Sequence, residues 1–403
     1  MSGTRSLLHE RIAIVGTGLA GVSAAERLRE RGYSGSLVMI GGEEGQPYNR
    51  TPLSKQLLAG TRSPKDIRLR TYTPLDASWL TGDPATQLDL DRRTIHLKSG
   101  SDVCFDRLVI ATGSTPRHLP GAPMHSRHVW GLRTLEDARG IDAAMARGQR
   151  IAVVGGGFIG CEIASTARER GLDVTLIDRS PVLLRRSLGD ALGAVATDLH
   201  RNAGVRLHLG VAVAGWTETR RGVEIDLDDG ETIAADLAVV GIGTDPDTAW
   251  LQQTSLNTED GILCDSACRV LDNHGTPLPG VVAAGDAARW PNQRFGATPR
   301  RIEHWINAIE MGRHAADTLL ADPGNERPFA PIPRFWSHQH GTRIQSAGIP
   351  ALGSSVHILE GSVPKRRFLA AFTGAGGNTT GLIAFNAPRA LLKNHHLING
   401  VAA

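Results

Sequence analysis

Cysteine is scarce in this chain, with four in 403 residues: Cys104, Cys161, Cys264 and Cys268. Their scatter excludes a disulfide scaffold and suits a reducing compartment. No run of about 18 apolar residues occurs, so no membrane-spanning helix is expected. Met1–Glu10 contains no apolar stretch of the signal-peptide kind. The expectation is a cytoplasmic protein without a membrane partner. A strong charge of one sign is lacking too. The 44 Lys and Arg against 41 Asp and Glu leave a formal +3, which gives no reason to invoke nucleic acid. No Cys or His cluster has metal-ligand spacing, and His338 and His340 stand only two apart, so no metal is expected. Short-period repeats and low-complexity tracts are also absent. What remains is a globular chain too long for one core, which implies two or three domains.

Glycine, by contrast, is plentiful, with 47 residues, and two glycine-rich turns dominate the pattern. Gly16-Thr17-Gly18-Leu19-Ala20-Gly21 follows the apolar run Ile12–Val15. Gly155-Gly156-Gly157-Phe158-Ile159-Gly160 follows Ile151–Val154. Each sits where a strand turns into a helix, the context that gives G-x-G-x-x-G its meaning. Bare glycines let the backbone approach a pyrophosphate, and the helix N-terminus stabilises its charge. Without a ligand the same turns would simply be close-packed. One such turn suggests a dinucleotide; two suggest a pair of dinucleotides exchanging electrons.

The surroundings make the two turns unequal. The first opens a βαβ unit (strand Ile12–Val15, helix Gly21–Arg31, strand Ser36–Ile40) with Glu43 placed to hold an adenosine ribose. Phe105–Gly113 is a further strand running into Ala111-Thr112-Gly113. Val281–Asp286 is another, ending at Gly285-Asp286, an acceptor for a ribityl hydroxyl. These pieces favour FAD at the first turn. The second unit repeats the plan with helix Phe158–Arg170 and strand Asp173–Ile177, closed by Asp178. An acid there accepts ribose hydroxyls and repels a 2′-phosphate, favouring NADH over NADPH, although Arg179, Arg185 and Arg186 lie close in sequence. Gly241-Ile-Gly243 is expected to pass the same nucleotide.

Strands are also expected at Val205–Leu209, Val223–Leu227 and Ala235–Gly243, with a hairpin at Asp229-Gly230, and a helix over Glu303–Leu320. The stretch Asp322–Pro328, with Pro331 and Pro333 behind it, reads as a linker. Beyond it, Ser355–Leu359 and Phe368–Phe372 read as strands and Pro388–Ile398 as a helix. From Arg327 onward eight Arg and Lys face one acid, Glu360: a solvated basic face, or a docking surface for an acidic partner.

Tyr48-Asn-Arg-Thr-Pro-Leu-Ser-Lys55 resembles the Y-D-R-P-P-L-S-K segment of FAD-dependent ferredoxin reductases, the group that includes putidaredoxin and rubredoxin reductases. Gly155–Glu162 is similar to their G-G-G-x-I-G-x-E, and Arg301–Ala308 to their R-x-E-x-W-x-N-A. Phe335-Trp-Ser337 and Asn386-Ala-Pro-Arg389 echo two C-terminal segments. The resemblance runs from Ile12 to Ile398 in the family's order. It implies an α/β fold like glutathione reductase: two Rossmann-like domains, for FAD and NAD, and a C-terminal α+β domain. The boundaries read as 1–116 and 245–326 for FAD, 117–244 for NAD and 327–403 for the last domain. It further implies hydride transfer from NADH to flavin and electron delivery to a ferredoxin feeding a P450 or Rieske oxygenase. Arg50, Thr51 and Pro52 would lie along the flavin, Lys55 would approach it paired with Glu162, and Glu303 would sit near the nicotinamide. Arg117, Trp305 and Trp336 join the implied cofactor-binding set, Trp336 as shield or conduit at the electron exit.

Disulfide reductases of this fold carry a C-x4-C pair beside the flavin, yet 43–60 contains no cysteine. Cys161 reads as packed and Cys264-Asp-Ser-Ala-Cys268 as structural. Four departures stand out. Gly42 replaces a common Asp, Met311 replaces Gln, and Gly241–Asp247 lacks an Arg. The family's F-W-S-D-Q-Y reads Phe335-Trp-Ser-His-Gln-His340. Those two histidines are either surface drift or a change to the exit edge, in which case activity would follow a histidine titration. Two other readings stay open: an FAD oxidoreductase with a small-molecule pocket at that edge, and an NADH-sensing interaction protein.

Overall fold

In the computed structural model, which describes residues 10–398, the first glycine turn leaves the middle of a six-stranded sheet. The order is Arg269–Leu271, Pro277–Ala283, Arg107–Ile110, Arg11–Val15, Ser36–Gly41 and Ser78–Thr81. All neighbours pair in parallel except the outermost Arg269–Leu271. Central parallel strands are covered on both faces, which is why Ile12–Val15 and Leu37–Gly41 are apolar without alternation and buried throughout. The sheet is completed by Pro277–Ala283, a strand that arrives only after the entire second unit has been traversed. The helix Leu19–Glu30 crosses Trp305–Leu320 so closely that a Cβ on Gly312 would meet the Ala20 carbonyl oxygen at 2.2 Å.

The second unit is a five-stranded parallel sheet ordered Arg206–Leu209, Asp173–Asp178, Arg150–Val154, Leu237–Val240, Val129–Gly131. An antiparallel ribbon of Ser114–Pro116 with Thr244–Pro246 ties the units together. The chain then builds a five-stranded antiparallel sheet ordered Arg334–Gln339, Thr342–Gly348, Thr379–Phe385, Arg367–Thr373, Ser355–Ser362. One apolar cluster joins its inner face (Ile344, Phe368, Phe385) to the second unit's helices and to Leu53 and Leu58 of the first. No helix among the described residues is long and apolar enough to cross a membrane.

Three expectations need correction. The strand read over 235–243 ends at Val240, because Gly241 turns under the second glycine loop: a Cβ on Gly155 would meet the Gly241 carbonyl oxygen at 2.3 Å. The Val281–Asp286 strand stops at Ala283 and becomes a 3₁₀ turn at Gly285–Ala287, with Gly285 at φ +77. The helices Leu135–Met145 and Arg185–Asn202 were not anticipated. The second begins from a left-handed Leu184 and kinks at Gly189, φ +68, which blurs its periodicity.

The glycines of each turn divide the work. A Cβ on Gly21 would stand 1.9 Å from the Gly16 carbonyl oxygen, whereas one on Gly18 would meet nothing within 4 Å. Gly21→Ala should therefore cost about 1–3 kcal/mol through overpacking. Gly18→Ala should cost at most about 1 kcal/mol, the N-cap preference for Gly over Ala. Chemical denaturation of the two variants checks this order.

Candidate functional site

A cavity of about 1000 Å³ opens between the first glycine turn, the start of the second unit's helix and the C-terminal sheet. Gly16, Gly18 and Ala20 line it at the N-terminus of Leu19–Glu30, and Gly18 caps that helix without any side-chain hydrogen bond. Unsatisfied amide groups at a helix start attract an anion. The missing Cβ at Gly18 leaves the space clear, so this end of the cavity fits a dinucleotide pyrophosphate.

Along one wall, Glu43 takes hydrogen bonds from the Arg50 guanidinium at 2.5 Å and from the Tyr48 hydroxyl. Tyr48 also accepts from the Leu135 amide at 2.9 Å. Burial, first of all, pushes its phenol up to about 12. Ala111, Thr112 and Gly113 also line the cavity, continuing the Arg107–Ile110 strand. Gly285 and Asp286 follow, with Asp286 3.3 Å from Arg133. Arg117 reaches the wall from the interdomain ribbon, paired with Asp245 at 2.7 Å. Arg133 had no signal in the sequence, nor had its proximity to Asp247, whose carboxyl burial pushes up against that cation.

Lys55 and Glu162 meet where the units join. The Lys55 ammonium lies 2.8 Å from Glu162 Oε1, and both side chains are largely buried. Lys55 comes from a π-helical turn over Leu53–Leu57, and Glu162 from the helix Phe158–Glu169. Wide turns of this kind recur at functional sites because they re-aim side chains. Ser54 Oγ donates to Glu162 Oε2 at 2.6 Å and Ser337 Oγ to Oε1 at 2.6 Å. Nothing in the sequence around Ser54 and Ser337 signals this role, although both lie inside segments that resemble the family.

The remaining sequence-derived residues fall into two groups. Phe158, Ile159, Gly243, Glu303, Trp305 and Trp336 line the cavity. Glu303 is held by Arg301 and, at 2.8 Å, by Thr244. Gly21, Pro52, Gly155, Gly157, Gly160, Gly241 and Asp178 do not line it, and the last five gather around the second turn. That turn mirrors the first: Gly157 caps Phe158–Glu169 without a side-chain bond, and a Cβ there would meet nothing within 4 Å. Asp178 accepts from the Gly156 amide at 2.5 Å and the Ser180 amide at 2.6 Å.

Neither His338 nor His340 lines the cavity. His338 is exposed, and His340 turns inward to place Nε2 3.0 Å from His200 Nδ1. Burial, chiefly, lowers the His338 imidazole and takes those of His200 and His340 down to about 4. The buried His200–His340 contact therefore holds both rings neutral near pH 7. Aromatic rings pair at the cavity wall: Phe158 on Phe335 at 4.7 Å and Trp305 on Trp336 at 5.6 Å. The thiols of Cys161, Cys264 and Cys268 are fully buried and pushed up by that burial, as inert cysteines are.

His200 carries a stability consequence. Its folded value of about 4 lies below the 6.5 of an unhindered imidazole, so unfolded chains bind the extra proton first as pH falls. Stability should be full above about pH 6.5 and fall toward pH 4, by up to ~3 kcal/mol from this residue. Urea denaturation between pH 7 and 4 should show that slope, flattened in His200→Gln.

Residues 10–312 match the family model described as pyridine nucleotide-disulphide oxidoreductase, and residues 334–402 match the reductase C-terminal model. The ferredoxin reductase component of chlorobenzene dioxygenase from Cupriavidus sp. (strain PS12) is 35% identical, over 97% of this chain and 93% of that protein. The ferredoxin–NAD(+) reductase subunit of the benzene 1,2-dioxygenase system of Pseudomonas putida is 33% identical, over 95% and 90%. Among solved structures, the covalent putidaredoxin reductase–putidaredoxin complex superposes with a TM-score of 0.89 at 31% identity, covering 97% of this chain and 93% of that one. The chain belongs to the pyridine nucleotide-disulphide oxidoreductase family and, within it, to the ferredoxin reductases that carry the reductase C-terminal domain.

Proposed function

We propose that this chain draws a hydride from NADH and passes the electrons, through FAD, to a small iron–sulfur ferredoxin that feeds a P450 or Rieske oxygenase. One observation carries the reading: a buried Lys55–Glu162 pair at the wall of a dinucleotide-sized cavity, where two glycine-turn units meet and no cysteine lines the wall. FAD, when bound, supplies the conversion between a two-electron hydride and single electrons. The relatives, reductase components of dioxygenase systems, support the same assignment.

The chain's own residues then take these parts. The amides at Gly18 and the following turn hold the pyrophosphate, while Glu43 and Asp286 accept from hydroxyls of the same cofactor. Arg50, Thr51 and Arg117 flank it, with Pro52 adjoining Thr51 in the chain. Lys55 presents a cation to the electron-rich ring, and Glu162 fixes that cation in place. At the second turn, Gly157 leaves room for the nicotinamide nucleotide and Asp178 accepts from its ribose, which favours NADH over NADPH. Glu303, steadied by Arg301 and Thr244, orients the nicotinamide end. We divide the chain as 1–116 with 245–326 for FAD, 117–244 for NAD and 327–403 for the partner-facing domain, and place the protein in the cytoplasm.

Trp336 and the basic C-terminal domain form the exit. Arg334, Arg343, Lys365, Arg367, Arg389 and Lys393 are all exposed, and Glu360 is tied to Lys393 at 3.4 Å. Such a surface steers an acidic ferredoxin. Ferredoxin-dependent cytochrome c reduction should slow as salt rises from about 0.01 to 0.3 M, the range over which screening shortens to contact distances; a salt-independent rate contradicts the steering. Lys55→Met should slow flavin reduction by NADH roughly tenfold or more, the loss expected when one charge-assisted contact disappears, and stopped-flow bleaching of the flavin absorbance measures it.

A further inference from the structure

Behind the Lys55–Glu162 pair runs a chain of hydrogen bonds that the electron path does not use. Ser337 Oγ, bound to Glu162, accepts from Gln339 Nε2 at 3.0 Å. Gln339 Oε1 lies 3.0 Å from His200 Nε2, and His200 Nδ1 lies 3.0 Å from His340 Nε2. Ser337, Gln339 and His200 are each at most 1% exposed. The polarity of the chain is fixed by its ends. An amide oxygen only accepts, so His200 Nε2 carries a proton and Nδ1 does not. His340 Nε2 must then donate to His200. Every donor in the series therefore points toward the Glu162 carboxylate, and the series crosses from the C-terminal sheet through the helix Arg185–Asn202 and back.

We propose that His200, braced by His340, is a positioning residue for the Lys55–Glu162 pair. By holding the Gln339 amide, it obliges the Ser337 hydroxyl to donate to Glu162 and to nothing else. The amide cannot pass a proton along, so the arm orients and polarises rather than conducts. The rings stay neutral at working pH. Among the described residues the His200 ring meets Gln339 and His340, and His340 faces His200, Arg168 and Arg366, while its own amide donates to Ser165 Oγ at 2.7 Å. Around Glu162 stand Lys55, Ser54, Ser337 and, further off, His338 and Cys161. Without the arm, Ser337 turns away, and Glu162 draws the Lys55 ammonium inward, off the cavity wall. The inference rests on the flavin-facing role given to Lys55 above.

The test compares FAD-loaded wild type with His200→Leu, which removes the donor, and His200→Gln, which keeps one at the same reach. Flavin reduction at saturating NADH, the NADH dissociation constant and the flavin midpoint potential are measured. In His200→Leu the saturating rate should fall about tenfold, short of the roughly hundredfold that a full ångström of misplacement costs. The NADH dissociation constant should stay within about twofold, and the potential should move to a more negative value. His200→Gln should return the rate and the potential toward wild type. Should His200→Leu not fold, His340→Phe keeps a ring and removes the outermost donor, with the same direction expected. Unchanged rate and potential in the variant that folds, or equal losses in His200→Leu and His200→Gln, overturn the proposal. No ferredoxin enters these measurements, so a wild type that NADH fails to reduce defeats the parent reading instead.

Discussion

A carboxylate taken out of water must find donors in its surroundings or give up its charge, at a cost of several kcal/mol. Glu162, carried by a helix of the second unit, finds them in the two other parts of the chain: Lys55 and Ser54 from the first unit, and Ser337 from the C-terminal sheet. Neither of those parts reaches it alone. The interdomain ribbon and the apolar cluster that contains Leu53 and Phe368 serve to bring the three together. The buried ion pair is a poor source of net stability. Its effect is registration, holding one cation at one point of the cavity wall.

The rest of the site follows from repetition. Two βαβ units use their first and last glycines for packing against their own backbone and keep the middle one clear for a ligand. The first turn opens into the cavity through its glycines, whereas the second reaches it only through Phe158 and Ile159. That asymmetry matches one cofactor held throughout the cycle and one nucleotide that comes and goes. The thiol beside the second turn, Cys161, is buried and pushed up by that burial, and no cysteine lines the cavity, which fits electrons passing outward to a partner rather than to a thiol beside the cavity.

Much of this was legible in the sequence because it depends on local pattern. Glycine spacing after an apolar run marks a strand-to-helix turn whatever lies around it, and the Lys55 and Glu162 segments could be matched residue by residue. What was not legible depends on distant packing. Ser337, Gln339 and His340 share one short segment, whereas His200 lies far away in sequence with no local signal; only the fold stacks them into one series. Arg133 follows an ordinary loop sequence and matters only because Asp286 is brought to it. The strand over 235–243 was overextended because apolar content continues into Ile242, while the turn is dictated by contact with Gly155.

The most direct measurement is an anaerobic double-mixing experiment. The yellow protein is first reduced with one equivalent of NADH and then mixed with an oxidised, acidic [2Fe–2S] ferredoxin. The account predicts rapid flavin bleaching in the first mix, then loss of the ferredoxin's visible absorbance as the flavin colour returns, at a rate that rises with ferredoxin concentration. A flavin that NADH reduces but that stays reduced in the presence of every such ferredoxin would contradict it.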